Sequence, residues 1–503
     1  MKCIAKLNKT DFIVLIVIVV IGLIHLPFPF DGDQAFFRLG ALEMQQGKVL
    51  YRDFWDIKQP GIFYFYFLAG NLFGFDEIGI HVFELIYMVL FSIILQLTLK
   101  SYFRHQIIAS LVPLLTVGVY YNVSGAWHLT QVEALVGFPL FLCLWLTFKS
   151  FKNEGKQRFY LLLVSGFIGG IVLLFKLLLL VILLAFWLTI FMYFLVIKRQ
   201  EIQKILVDTC VPIFIGLILP FLAFASYSVW VNSFSIVYQT FFIYPPRLVA
   251  NTVLNKTNFI SGIKWFLQSF YPLVLMGSIT VYVSLYKSKN LLTLLLVVWC
   301  VFGLAVIVLQ RTSLWQYHYL LLFVPIGILA TKGLDILWDY LKELRSLIPT
   351  ILLIFLLFLP LSLTLIKKSA TLVDNNFALT EDTRLKYQTV FRKKYPSLHY
   401  EANLISQPGS IAGDIYVAGD PAIYYLAGRS QATILRGWAL EYFLSEQWLE
   451  LINQLDSSKP PYIFIDYEPQ AIIKKSSPKM LEFVEQKYQI LRQSNNGIWY
   501  TIK

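Results

Sequence analysis

Charge is scarce in this chain. Only 14% of its 503 residues are Asp, Glu, Lys or Arg, while 57% are hydrophobic. A soluble domain carries about 25% charged residues, so a soluble globular enzyme is excluded. Cysteine is scarce too. Cys3, Cys143, Cys210 and Cys300 are scattered, three of them in apolar runs. That spacing offers neither a disulfide framework nor a thiolate metal site. The chain has no Gly-rich phosphate loop, no HExxH helix and no paired Cys/His cluster. A Ser/His/Asp triad cannot be assembled from it. Internal repeats and low-complexity tracts are absent. No small-residue cleavage site follows the first apolar run, 12–30, which therefore reads as a retained span and not a signal peptide.

What is present is a series of long apolar runs. A span needs roughly 20 apolar residues. The runs 11–30, 78–99, 106–122, 131–148, 159–175, 177–197, 205–230, 263–286, 290–309, 317–331 and 348–366 meet that need. The expectation is a polytopic α-helical membrane protein of about 11 spans. The aromatic stretch 61–74 is too short to span and is expected to lie in the interface or to re-enter.

The net charge is +12, but the basic residues sit in short loops between apolar runs. That pattern reports topology and anionic lipid headgroups, not nucleic acid. Lys2, Lys6 and Lys9 precede the first run. Lys100 and Arg104, then Lys149, Lys152, Lys156 and Arg158, then Lys198, Arg199 and Lys204 follow alternate spans. Lys287, Lys289, Lys332, Lys342 and Arg345 continue the series. Every second loop is basic, so the N-terminus is expected on the cytoplasmic side of the plasma (inner) membrane. The first loop (31–77) and the C-terminal region are then expected outside.

From about 370 the composition turns polar, punctuated by Pro396, Pro408, Pro421, Pro460 and Pro461. Residues 413–419 and 461–466 read as short buried strands, 440–455 and 478–491 as amphipathic helices, and 498–502 as a last strand. This divides the chain into a transmembrane domain, 1–369, and a small extracytoplasmic α/β domain, 370–503.

The densest chemistry lies after the first span. Asp31, Asp33, Asp53 and Asp56 crowd into one loop, interleaved with Arg38, Lys48, Arg52 and Lys58. Acidic residues at a membrane edge are costly unless paired, solvated or used. A connector needs none of this; a site for a phosphorylated, hydroxyl-rich substrate needs both charge types. Asp33 reads either as a general base, its pKa raised near an apolar boundary, or as an N-cap of the helix over 34–46. Asp31 shares the capping reading. Glu133 reads as a second acid or as a helix-start carboxylate. Lys176, inside an apolar run, needs an anion: a substrate phosphate, or interfacial water reached by snorkelling. Arg311 and His318 are candidates for phosphate oxygens, and Trp315 and Tyr317 for stacking on a sugar ring; an aromatic belt explains the same residues. Arg247 and Lys58 are further phosphate candidates. No metal site or cofactor is expected. Asp31, Asp33 and Glu133 offer oxygen atoms to a divalent cation, but in no clear ligand motif.

At these residues the chain resembles the GT-C membrane glycosyltransferases. It is most similar to the bacterial branch of the dolichyl-phosphate-mannose–protein mannosyltransferase and lipid A aminoarabinose transferase superfamily. Asp33-Gln34-Ala-Phe-Phe37-Arg-Leu-Gly-Ala41-Leu-Glu-Met44-Gln-Gln-Gly47 follows the family's Asp-Glu-x-x-Tyr-x-x-x-Ala-x-x-Met-x-x-Gly, with Gln34 for Glu and Phe37 for Tyr. Tyr51-Arg-Asp-Phe54 with Lys58-Gln-Pro-Gly61 resembles its Tyr-Arg-Asp then Lys-Pro-Pro-Gly. Thr130-Gln-Val-Glu133, the stretch from Gly170 to Lys176, His318-Tyr319 with Pro325, and Ala418-Gly-Asp-Pro-Ala-Ile-Tyr424 fall in the family's order. The resemblance puts Asp33 on the catalytic aspartate. It implies an inverting transfer from a polyprenyl-phosphate-linked sugar to a lipid, protein or glycan acceptor on the outer face. A lipid or solute transporter is the competing class, but segment 31–61 has no second copy, as related halves would require. A membrane scaffold would not need the acidic loop.

Overall fold

The computed structural model describes residues 6–251, 256–286, 290–310, 314–343 and 347–503. Arg311, Lys2, Cys3, Lys287, Lys289 and Arg345 lie outside the described residues. The chain forms two compact units. One comprises Met1–Leu26, His81–Ala225 and Thr252–Asp374; the other comprises Pro27–Ile80, Ser226–Asn251 and Asn375–Lys503. The acidic first loop thus packs in the same unit as the C-terminal region.

Among the described residues, eight helices are long and apolar enough to cross a membrane. They are Glu77–Tyr102, Val132–Ser150, Gly155–Phe175, Leu177–Ile197, Ile202–Trp230, Lys256–Tyr286, Leu291–Leu309 and Gln316–Tyr340. Each coincides with one expected span. Three other expected spans lie outside these eight helices. Run 11–30 holds the shorter helix Lys9–Leu23. Run 106–122 is broken into Gln106–Ser110, a π-helical turn at Leu114–Gly118 and Val119–Val123. Pro113 stands at the break, where it removes a backbone donor. Run 348–366 lies within the 28-residue helix Leu347–Asp374.

Small residues let the first unit's helices approach closely. A Cβ on Gly166 would stand 2.2 Å from the Ile213 carbonyl oxygen, and one on Gly216 would stand 2.0 Å from that of Leu163. The nearly continuous apolar run 159–197 is divided at Lys176. The helix Gly155–Phe175 ends there, and Lys176 is extended, with φ −163° and ψ 111°.

In the second unit, the helix Asp33–Gln45 packs on Gly61–Phe73. Phe37 meets Phe63 and Tyr66 edge to face, both with centroids 5.6 Å apart. The C-terminal region carries a four-stranded sheet of β1 (Tyr416–Ala418), β2 (Tyr462–Asp466), β3 (Tyr488–Gln493) and β4 (Gly497–Ile502). The order is β1-β2-β4-β3. β1 runs parallel to β2, and the other two pairings are antiparallel. Trp499, Phe464, Ile463 and Tyr416 are buried in its core. The helix expected over 478–491 stops at Lys487, and 488–493 is a strand instead. The turn at Ser494 decides this: its N–H reaches the Gly497 carbonyl at 2.9 Å, closing a hairpin onto β4.

Candidate active site

The turn before the helix Asp33–Gln45 is built around Gly32, at φ +53°. A side chain there would be strained, and its Cβ would stand 2.9 Å from the Trp438 ring. Asp33 is the first helical residue, not the cap, and no side chain caps this helix start. The helix-cap reading of Asp31 and Asp33 is therefore not what the structure shows. Gln34 turns back instead, and its carboxamide oxygen accepts the Asp31 N–H at 2.9 Å.

Asp33 Oδ1 accepts from the Trp438 indole N–H at 2.8 Å and from Lys58 Nζ at 3.2 Å. Lys58 lies in the turn before Gly61–Phe73, with Pro60 and Gly61 setting where that helix begins. Its ammonium is 3.6 Å from Asp56 Oδ2 and 5.1 Å from the centre of the Phe37 ring. Asp56 is fully buried and paired with the buried guanidinium of Arg436. Asp33, Lys58, Asp56 and Arg436 thus alternate in sign, as paired charges away from water must.

Burial pushes the Asp33 carboxyl up, but the Lys58 ammonium, the Trp438 N–H and Arg436 outweigh it and hold the group below its ordinary value. The expected rise is thereby corrected: two cations and an indole donor outweigh burial. The raised carboxyl is Asp31. Burial pushes it up to about 6 although Arg392 Nη2 stands 2.9 Å away. Arg392 is shared with Asp420 and also donates to the Phe30 carbonyl.

In the first unit the structure brings together Glu133, Lys176 and His318. Glu133 opens the helix Val132–Leu135, Lys176 stands in the extended break, and His318 lies in the 3₁₀ turn Gln316–Leu322. Lys176 Nζ is 2.5 Å from Glu133 Oε1 and 3.0 Å from Gln310 Oε1. His318 Nδ1 is 2.7 Å from the same glutamate oxygen. No carboxylate is near Lys176 in sequence, yet in space Glu133 is its counterion.

The aromatic candidates extend this group. Trp315 and Tyr317 both meet Trp127 edge to face, at 6.2 and 6.1 Å. Trp315 is exposed and Tyr317 half-buried. Arg247 is at the surface, in an ion pair with Glu446 at 2.6 Å. Arg311 lies outside the described residues. Among the described residues, no group of three or more His, Cys, Asp or Glu side chains is placed to hold a metal ion.

Sequence reasoning missed Trp438, Arg436 and Arg392. They stand 405, 380 and 362 positions from Asp33, Asp56 and Phe30, which they contact. No local motif marks them, so only the folded chain reveals them.

The family described as dolichyl-phosphate-mannose-protein mannosyltransferase matches residues 58–230, about a third of the chain. No curated protein matches by sequence. Among solved structures, the chain is similar to ArnT from Cupriavidus metallidurans bound to undecaprenyl phosphate. The two are 12% identical, with a TM-score of 0.61 over 98% of each chain. The apo structure of that ArnT matches at 11% identity and a TM-score of 0.60 over 97% of each chain. The chain has the GT-C fold. The family match and the shared fold support the resemblance to the GT-C glycosyltransferases.

Proposed function

We propose that the protein is an inverting glycosyltransferase, moving a sugar from a polyprenyl-phosphate donor to a lipid, protein or glycan acceptor on the outer face of the plasma membrane. The observation that carries this reading is the Asp33–Lys58 pair at the start of a helix in a GT-C fold. Likeness to an ArnT whose structure holds undecaprenyl phosphate supports a polyprenyl-phosphate partner. The transferred sugar is a hexose or a pentose.

In the proposed step an acceptor hydroxyl attacks the anomeric carbon from the face opposite the phosphate. The bond from that carbon to the phosphate oxygen breaks, and its electron pair leaves with the lipid phosphate. The hydroxyl proton passes to Asp33. Because a phosphate monoester is a good leaving group, no acid need protonate it. Lys58 offers a cation to the phosphate oxygens as charge grows there. Its ammonium is also the strongest influence holding Asp33 ionised. As Lys58 turns toward phosphate, Asp33 loses that stabilisation and gains proton affinity when the proton arrives. Lys176, His318, Arg311 and Arg247 are further proposed phosphate contacts, with Asp31 and Glu133 as acceptor-side or second acidic groups and Trp315 and Tyr317 as sugar platforms.

Mass spectrometry of membrane lipids and envelope glycans, with and without the protein, tests the reading. The expected result without it is accumulation of a glycosylated polyprenyl phosphate and loss of one sugar from an envelope acceptor. Identical lipid and glycan pools would overturn the proposal.

A further inference from the structure

The segment 436–442 is the least expected part of the Asp33 surroundings. It is anchored to the sheet at Gly437, whose carbonyl accepts the Gly419 N–H at 3.0 Å. A Cβ on Gly437 would stand 1.9 Å from the Val417 carbonyl oxygen, so only glycine lets the segment lie this close to β1. On one side of that anchor Arg436 is buried against Asp56, with its guanidinium 5.6 Å from the centre of the Trp55 ring. On the other side Trp438 covers Gly32 and donates to Asp33. Ala439 follows at φ +55° and ψ 49°, the left-handed region that a residue with a Cβ rarely occupies. Such backbone persists where the surrounding structure over-determines it, and it clusters at functional sites.

We infer that this segment is a positioning arm for the proposed base. Trp438 orients the Asp33 carboxylate, and Arg436 holds the Asp56–Lys58 turn so that Lys58 meets the same oxygen. The inference deepens the transferase reading and rests on it for the word base. The arm explains why Asp33 keeps one orientation without being a helix cap. Both donors bind Oδ1, which fixes the plane of the carboxylate relative to the helix start. The charged and titratable groups acting on Asp33 are Lys58 and Arg436 as cations, and Asp31, Glu441 and Tyr442 as acids. Trp438, Arg436, Glu441 and Tyr442 all come from this one segment. A lost N–H donor disfavours the ionised carboxylate, whereas a lost neighbouring negative charge favours it.

The test is labelling of Asp33 by a hydrophobic carbodiimide, which reacts with protonated carboxyls, followed across pH by mass spectrometry of the detergent-solubilised full chain. It needs neither donor nor turnover, so its outcome is separate from that of the transferase reading. Trp438→Phe keeps a ring over Gly32 but removes the N–H. It is expected to move the half-labelling pH of Asp33 upward by about 1 unit. Glu441→Gln changes an exposed side chain and is expected to move it downward. Shifts of opposite sign from two positions are not what loosened packing produces. An unchanged profile in folded Trp438→Phe overturns the inference. If that variant does not fold, Glu441→Gln decides: a downward shift supports the arm, and an unchanged profile overturns it.

Discussion

At Lys176 a single side chain joins an ion-pair network to the proposed function. Its ammonium shares one glutamate oxygen with His318, so three groups depend on a single geometry. Removing one member of a buried ion pair typically costs about 3–5 kcal/mol when the other charge is left alone; here His318 stays on Glu133, so the cost is expected below that range. Lys176→Ala is therefore expected to lower the thermal midpoint in detergent, and Lys176→Ala with Glu133→Gln to recover most of it. Transfer is expected to stay low in the double variant, since the phosphate contact proposed for Lys176 is still missing. A Lys176→Ala protein that melts like wild type would contradict the counterion role. Full transfer in the double variant would contradict the phosphate role. Asp33, Lys58, Glu133, Lys176 and His318 could be picked from the chain because charge is rare in apolar surroundings. What could not be read was which charges meet. Lys176 looked unpaired because its partner lies 43 positions away. The protonation tendencies of Asp31 and Asp33 were equally hidden: burial raises Asp31 against the opposing Arg392, and at Asp33 burial is outweighed by Lys58 together with the distant Trp438 and Arg436.

Elements followed the apolar pattern wherever an element was long. The spans at Glu77–Tyr102 and Gln316–Tyr340 were visible because about 20 apolar residues in a row leave few alternatives. Shorter elements were harder. Residues 488–493 continue an amphipathic pattern from the preceding helix, and only hairpin closure at Ser494 turns them into an edge strand. The kinked run 106–122 likewise reads as one span until Pro113 is placed. Close packing of Gly155–Phe175 on Ile202–Trp230 is the element-scale feature most open to test. A methyl on Gly216 would meet backbone that cannot move aside independently. Gly216→Ala should therefore destabilise by about 1–3 kcal/mol, seen as a lower melting midpoint in detergent. An unchanged midpoint would mean the two helices separate easily.

Over the whole molecule, the GT-C fold places the acidic first loop and the C-terminal sheet in one compact unit. The charge pattern predicts that the basic loops are cytoplasmic and the C-terminal region extracytoplasmic. Reporters fused at Lys152 and at Asp420 should land on opposite sides of the membrane; the same side for both would contradict the orientation. The fold class was legible because hydropathy and loop charge act over the whole chain. The arm at 436–442 was not, because nothing local distinguishes Arg436-Gly-Trp438 from any other turn. Asp33 is proposed to serve transfer from a polyprenyl-phosphate sugar. The most direct test of that role is the release of polyprenyl phosphate from that donor by membranes holding equal amounts of wild-type and Asp33→Asn protein. Release by the wild type is expected, with a rate lower by about 10²–10⁴ in the variant. Equal release by the two proteins would contradict it.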